Sequence, residues 1–102
     1  MAIVKLTEKN FEEQVIQSGK TVLIDFYADW CGPCRMLGPI VEEIAAERPD
    51  VKVCKVNVDE EGELAARFGV MSIPAVFVLK NGEVVAQSLG AKPKAQLLAL
   101  LG

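Results

Sequence analysis

The 102-residue sequence contains no histidine. That absence removes Ser-His-Asp and Cys-His catalysis, zinc sites that need imidazole, and ordinary histidine acid–base chemistry. A basic surplus is missing as well. Eleven Lys and Arg face fourteen Asp and Glu, for a net charge of −3 and a pI near 4.9. Neutralising a phosphate backbone is therefore not the expected work, and no nucleic-acid partner is expected. Long apolar runs are absent: the longest, Ala75 to Leu79 and Leu97 to Leu101, fall far short of a membrane span. The first residues, Met1 to Glu8, lack the basic lead-in and apolar core of a secretory signal. Three cysteines are too few and too odd in number for a disulfide scaffold. What is present, 51% hydrophobic and 25% charged residues, suits one soluble domain spanning 1–102. A reducing cytoplasm is the expected setting, and a mature chain whose signal has been removed has the same look.

Helix and strand signals alternate along the chain. Ala2 to Leu6 reads as a short strand, Thr7 as an N-cap, and Glu8 to Gln17 as a helix burying Phe11 and Val15 and stopped at Gly19. Thr21 to Ala28 is β-rich and almost continuously apolar, the pattern of a strand covered on both faces. A helix is expected from Pro33 to Arg48 with Leu37, Ile40, Val41 and Ile44 as its stripe, bent at Pro39, which has no amide hydrogen. Val51 to Val58 reads as a strand. Asp59 reads as the cap of a helix from Glu60 to Phe68, and Gly69 as its terminator. Asn81-Gly82 marks a hairpin between Ala75–Lys80 and Glu83–Ser88. Pro93 suits the first turn of a last helix that buries Leu97, Leu98, Leu100 and Leu101. This β-α-β-α-β-α-β-β-α order predicts an α/β fold: a mixed sheet of about five strands flanked by about four helices.

Chemistry concentrates at Cys31-Gly32-Pro33-Cys34, where the apolar strand gives way to a helix. Two cysteines at this spacing on a first helical turn come within disulfide reach. Free amides and the helix dipole favour thiolate at Cys31, while Cys34, one turn in, is expected to be more buried and less acidic. Thiol–disulfide exchange follows from this, with Cys31 attacking and Cys34 resolving. Half of a zinc site and an inert structural disulfide are the other readings; the former lacks its remaining ligands in the sequence. Asp25 interrupts Val22-Leu23-Ile24 and Phe26-Tyr27. Both a buried carboxyl with a raised pKa and a strand-edge acid facing water fit that pattern. Lys55 lies mid-strand, where a lysine snorkelling to solvent fits too. Cys54 reads as a small buried hydrophobe. By base rate the Ile73-Pro74 bond is trans, since only about 5–6% of such bonds are cis.

The run Phe26-Tyr27-Ala28-Asp29-Trp30-Cys31-Gly32-Pro33-Cys34-Arg35 resembles the active site of the thioredoxin family. Met71-Ser72-Ile73-Pro74, Lys80-Asn81-Gly82 and Leu89-Gly90-Ala91 match further landmarks in the same order, so the likeness covers nearly the whole chain. It implies the thioredoxin fold and a general protein-disulfide reductase with a redox-active Cys31–Cys34 disulfide and no tightly bound cofactor. It implies that Asp25 is buried and relays a proton for Cys34, that Lys55 approaches Asp25, and that Pro74 is cis against the cysteines. Trp30, Gly32, Pro33, Ile73, Pro74, Gly90 and Ala91 would form a flat apolar docking surface, with the Ile73 backbone pairing to an extended substrate. The implied partners are a thioredoxin reductase and disulfide-containing proteins, met by a monomer. Three positions depart from the commonest pattern: Tyr27 stands for Trp, Arg35 for Lys and Ala75 for Thr. The same fold run as an oxidase or isomerase, or as a binding module with incidental thiols, is the rival expectation.

Overall fold

In a computed structural model, which describes residues 3–102, the strand signals become one five-stranded sheet. Its strands are β1 (Val4–Lys5), β2 (Thr21–Tyr27), β3 (Val51–Asn57), β4 (Ala75–Lys80) and β5 (Glu83–Leu89). The spatial order is β1-β3-β2-β4-β5. β3 runs parallel to β1 and β2, whereas β4 is antiparallel to both β2 and β5. The mixed sheet expected from the element order is thus present, with β2 at its centre and buried from Val22 to Phe26.

Period-two alternation along β2 sorts its side chains between two cores. Val22, Ile24 and Phe26 join Cys54, Val56, Phe77, Phe11 and Leu64 on one face. All four phenylalanines meet there, with ring centroids 5.1–5.7 Å apart for Phe11–Phe68, Phe26–Phe68, Phe26–Phe77 and Phe68–Phe77. Leu23, Val53, Val76 and Val78 pack on the other face against α1 (Gly32–Glu47) and α3 (Lys94–Leu100). From those helices Leu37, Val41, Ile44, Leu97 and Leu101 are buried, and Ile40, Leu98 and Leu100 pack partly buried beside them. α1 runs unbroken through Pro39. Asn81 and Gly82 both take positive φ, 56° and 79°, as the two-residue turn between β4 and β5 requires.

Four local expectations are corrected. The first helix is not Glu8–Gln17 but one π-type turn, Glu12–Ile16, closed by the Gln17 amide donating to the Glu12 carbonyl at 3.0 Å. Thr7 and Asn10 exchange hydrogen bonds: the Asn10 amide donates to Thr7 Oγ1 at 3.2 Å, and the Thr7 amide to Asn10 Oδ1 at 2.8 Å. This reciprocal closure is the N-cap expected at Thr7, although the residues it caps, 8–10, form turns and not helix. α2 is Gly62–Arg67, shorter than Glu60–Phe68, and Asp59 does not cap it. Instead Asn57 Oδ1 accepts from the amides of Asp59 and Glu60, at 2.9 and 3.3 Å, and takes up the turn before the helix. Pro93 is the N-cap of α3 and stands outside its first turn, with extended backbone at ψ 153°. Finally, β1 holds only Val4–Lys5, although Leu6 extends the pairing by donating to the Lys55 carbonyl at 2.9 Å. Ala2, the expected first residue of that strand, lies outside the described residues.

Candidate active site

The C-terminal ends of β2 and β3, the start of α1 and the segment before β4 converge on the two cysteines. Cys31 is the N-cap of α1, with extended backbone, and Pro33 occupies its first turn, where a missing amide hydrogen costs nothing. A disulfide joins Cys31 to Cys34 across a Cα–Cα distance of 5.2 Å. The Cys34 amide donates to Cys31 Sγ at 3.2 Å, so the sulfur of Cys31 does the work of a capping oxygen. Cys31 is 4% exposed and Cys34 5%. The expectation that Cys34 is the more buried is therefore corrected. Ala28 packs with the pair, and Tyr27, Val58 and Ile73 cover them from outside. The helix amide, directed at Cys31, is what separates the two.

Ile73-Pro74 is cis, as the resemblance implies and against the base rate. Pro74 is buried, and its carbonyl accepts from the Gly90 amide at 2.8 Å, which ties the Leu89–Ala91 corner to this loop. Gly90 has φ 84°, a backbone setting that glycine adopts without steric cost. The Ile73 carbonyl oxygen lies 3.9 Å from Cys31 Sγ. Trp30 is 68% exposed, and its indole Nε1 donates to Asp59 Oδ2 at 2.9 Å. Trp30, Val58, Ala65, Val70, Met71, Ser72 and Ile73 line an open, largely apolar groove beside the disulfide. Of the expected docking residues, the structure gathers Trp30 and Ile73 into this groove. Gly32 and Pro33 lie on the helix start beside it, and Pro74, Gly90 and Ala91 adjoin through the Pro74–Gly90 bond.

On β2, the strand that leads to the cysteines, Asp25 is 1% exposed, and neither of its carboxylate oxygens has a hydrogen-bond partner among the described residues. The alternative of a strand-edge acid facing water is excluded by that burial. Desolvation pushes its pKa from 3.8 up to about 6, and the nearby Lys55 charge opposes the rise. Lys55 is the register partner of Asp25 across β2 and β3. It stands two residues after Val53, so the pleat places it on the same face as Asp25. Its ammonium lies 4.6 Å from the centroid of the Tyr27 ring. Lys55 and Cys34 line one cleft with Tyr27, Asp29, Arg35, Gly38 and Glu42. The Arg35 guanidinium donates to the Asp29 carbonyl at 2.8 Å at the rim of this cleft. Ala75 is fully buried on the phenylalanine face.

Cys54 sits apart, fully buried on that same phenylalanine face, and burial pushes its thiol from 9.0 up to about 12. Among the described residues, no group of three or more His, Cys, Asp or Glu could hold a metal ion. Likewise among them, no helix is long and apolar enough to cross a membrane.

The thioredoxin family model matches residues 2–102. The chain belongs to the thioredoxin family. Thioredoxin from Bacillus subtilis (strain 168) is 49% identical over 102 residues, covering 99% of this chain and 96% of that protein. Thioredoxin from Alicyclobacillus acidocaldarius is 50% identical over 101 residues, covering 98% and 95%. Thioredoxin from Streptomyces clavuligerus is 47% identical over 93 residues, covering 91% and 87%. Thioredoxins are thiol-disulfide oxidoreductases, and this chain is a protein-disulfide reductase with a redox-active cysteine pair. Three residues round the groove and cleft are not among the sequence-based candidates. Met71, 96% exposed, lines the groove; an apolar residue three positions before Pro74 is its signal in the sequence. Asp59 looked like a helix cap but holds Trp30. Tyr27 stood out as a departure from the family pattern, yet its contact with Lys55 needs the register of two strands to be seen.

Proposed function

We propose that Cys31 is the attacking thiol and Cys34 the resolving one, with Asp25 taking the proton that Cys34 gives up. The single observation that carries this assignment is the Cys34 amide directed at Cys31 Sγ. A hydrogen bond to the charged form, at the positive end of a helix, stabilises a thiolate at Cys31 and not at Cys34. In the reduced protein, the Cys31 thiolate attacks one sulfur of a substrate disulfide, forms a mixed disulfide and releases a substrate thiolate. Deprotonated Cys34 then attacks Cys31 Sγ, closes the intramolecular disulfide and expels the second substrate thiolate. Two electrons pass to the substrate. Asp25, raised to about 6, holds or accepts a proton near neutral pH, which a carboxyl at 3.8 does poorly. Lys55 supports its charged form.

Substrate docks along the Trp30–Ile73 groove in extended form, with the Ile73 backbone, Gly32, Pro33, Pro74, Gly90 and Ala91 shaping the surface round the disulfide. The donor of electrons is a thioredoxin reductase, and the substrates are disulfide-containing proteins. In this reading residues 1–102 act as one monomeric unit in electron transport in the cytoplasm, without a tightly bound cofactor.

A Cys34→Ser variant tests the assignment. It is expected to accumulate mixed disulfides through Cys31, stable until reductant is added. Capture through the introduced serine variant's other thiol, Cys54, or no capture at all, overturns it. Asp25→Asn is expected to shift or flatten the pH profile of Cys34 reactivity; an unchanged profile removes Asp25 from the mechanism.

A further inference from the structure

The Lys55 ammonium touches two elements besides its own strand. The Tyr27 ring centroid is 4.6 Å from Nζ, inside the range of a cation–π contact. On α1, a Cβ at Gly38 would come within 3.8 Å of the same nitrogen, so Nζ lies close to the helix backbone at a position without a side chain. Lysine carries a long, flexible stem, and without such contacts its charge would spread over many rotamers. The other titratable or charged groups round this cleft are Asp29 from the β2–α1 connection and Cys34, Arg35 and Glu42 from α1. From β4, apolar Val76 is the register partner of Asp25. Among the described residues, Lys55 supplies the charge that opposes the rise at Asp25, so where its ammonium is held matters.

We propose that Tyr27 is a positioning residue: its ring face, with the bare backbone at Gly38, fixes the Lys55 ammonium and thereby sets how strongly Lys55 acts on Asp25. Tyr27 packs against the cysteine pair but takes no part in the sulfur chemistry in this role. It acts through Lys55. The ring is needed and the phenol hydroxyl is not, because the attraction comes from the aromatic face. The catalytic consequence rests on Asp25 serving as the proton acceptor for Cys34; the positioning itself does not.

The test follows the Asp25 carboxyl through a pH titration by carbon NMR, in the disulfide form, where Cys31 and Cys34 do not titrate. Lys55→Met is expected to raise the midpoint. Tyr27→Leu is expected to raise it part of the way, Tyr27→Phe to leave it in place, and Tyr27→Leu to add nothing in the Lys55→Met background. In the reduced protein below neutral pH, Tyr27→Leu is expected to slow resolution of the mixed disulfide about two- to fivefold, the span of an exposed cation–π contact. A midpoint unmoved by Tyr27→Leu, or moved equally with and without Lys55, overturns the proposal. So does a midpoint that Lys55→Met leaves in place. A shifted midpoint with an unchanged resolution rate upholds the positioning role and counts against Asp25 as the proton acceptor. Should Tyr27→Leu fold poorly, Tyr27→Thr removes the ring while suiting a strand end and takes its place.

Discussion

Cys54 and the Cys31–Cys34 pair differ hardly at all in exposure: 0% against 4% and 5%. What differs is the company. Cys54 lies mid-strand among Phe26, Val56 and Phe77, where burial outweighs the opposing charge of Lys52 and pushes its thiol up to about 12. Cys31 sits at a helix start, where the Cys34 amide reaches its sulfur at 3.2 Å. Burial alone therefore does not make a thiol inert. A thiolate needs a donor, and only one of these places supplies it. The same contrast divides the sheet faces: one buries a thiol among phenylalanines, the other buries Asp25 and brings Lys55 to it.

The largest effect expected from this contrast is on activity. Cys31→Ser should reduce disulfide reduction to the uncatalysed level, whereas Cys54→Ala should leave kcat/KM unchanged and lower stability by about 1 kcal/mol for the small cavity. An insulin-type disulfide reduction assay with chemical unfolding checks both. Loss of activity in Cys54→Ala would break the comparison.

The two buried acids should next separate by pH. The pKa of Cys54 is raised from 9.0 to about 12, so the folded state keeps a proton that the unfolded chain releases. Its contribution to stability then falls as pH rises through that window, by about 4 kcal/mol in all. Asp25 behaves alike at lower pH. Raised from 3.8 to about 6, it lowers stability as pH climbs between those values, by about 3 kcal/mol, and the cost persists above them. Unfolding curves at a series of pH values should lose the alkaline slope in Cys54→Ala and the acid-side slope in Asp25→Asn. A slope that survives its substitution assigns the effect to another group.

The smallest effect belongs to the rim. Removing the Asp59 carboxylate with Asp59→Ala frees the Trp30 indole, and an exposed hydrogen bond contributes only about 0.5–1 kcal/mol. We expect kcat/KM toward protein disulfides to fall about two- to fivefold, with no change toward a small disulfide that does not use the groove. Equal losses on both substrates would place Asp59 in the chemistry and not in docking.

Local signals in the sequence carried far for this chain. The strand pattern, the Asn81-Gly82 turn, the terminator Gly69 and the Cys31–Cys34 spacing each depend on neighbours a few residues away, where backbone sterics and helix periodicity act. The failures were also local but involved competing partners. The Thr7 cap forms but the turn after it does not join the helical turn at Glu12, and Asn57, not Asp59, closes the turn ahead of α2, whose N-cap makes no side-chain hydrogen bond. Neither choice is visible in a residue pattern, because one side chain can satisfy several nearby amides and packing selects among them.

The absence of histidine and the placing of two cysteines on a helix start were determined by the sequence itself, since composition and spacing are properties of the chain. From these came the thiol chemistry and the need for a different proton carrier. The tertiary structure alone decided that Asp25 is buried without a partner, that Lys55 comes to it across the sheet, and that Ile73 approaches Cys31 from forty-two residues away. Those are matters of strand register and desolvation. Both arise only when distant segments are packed side by side and water is driven from between them.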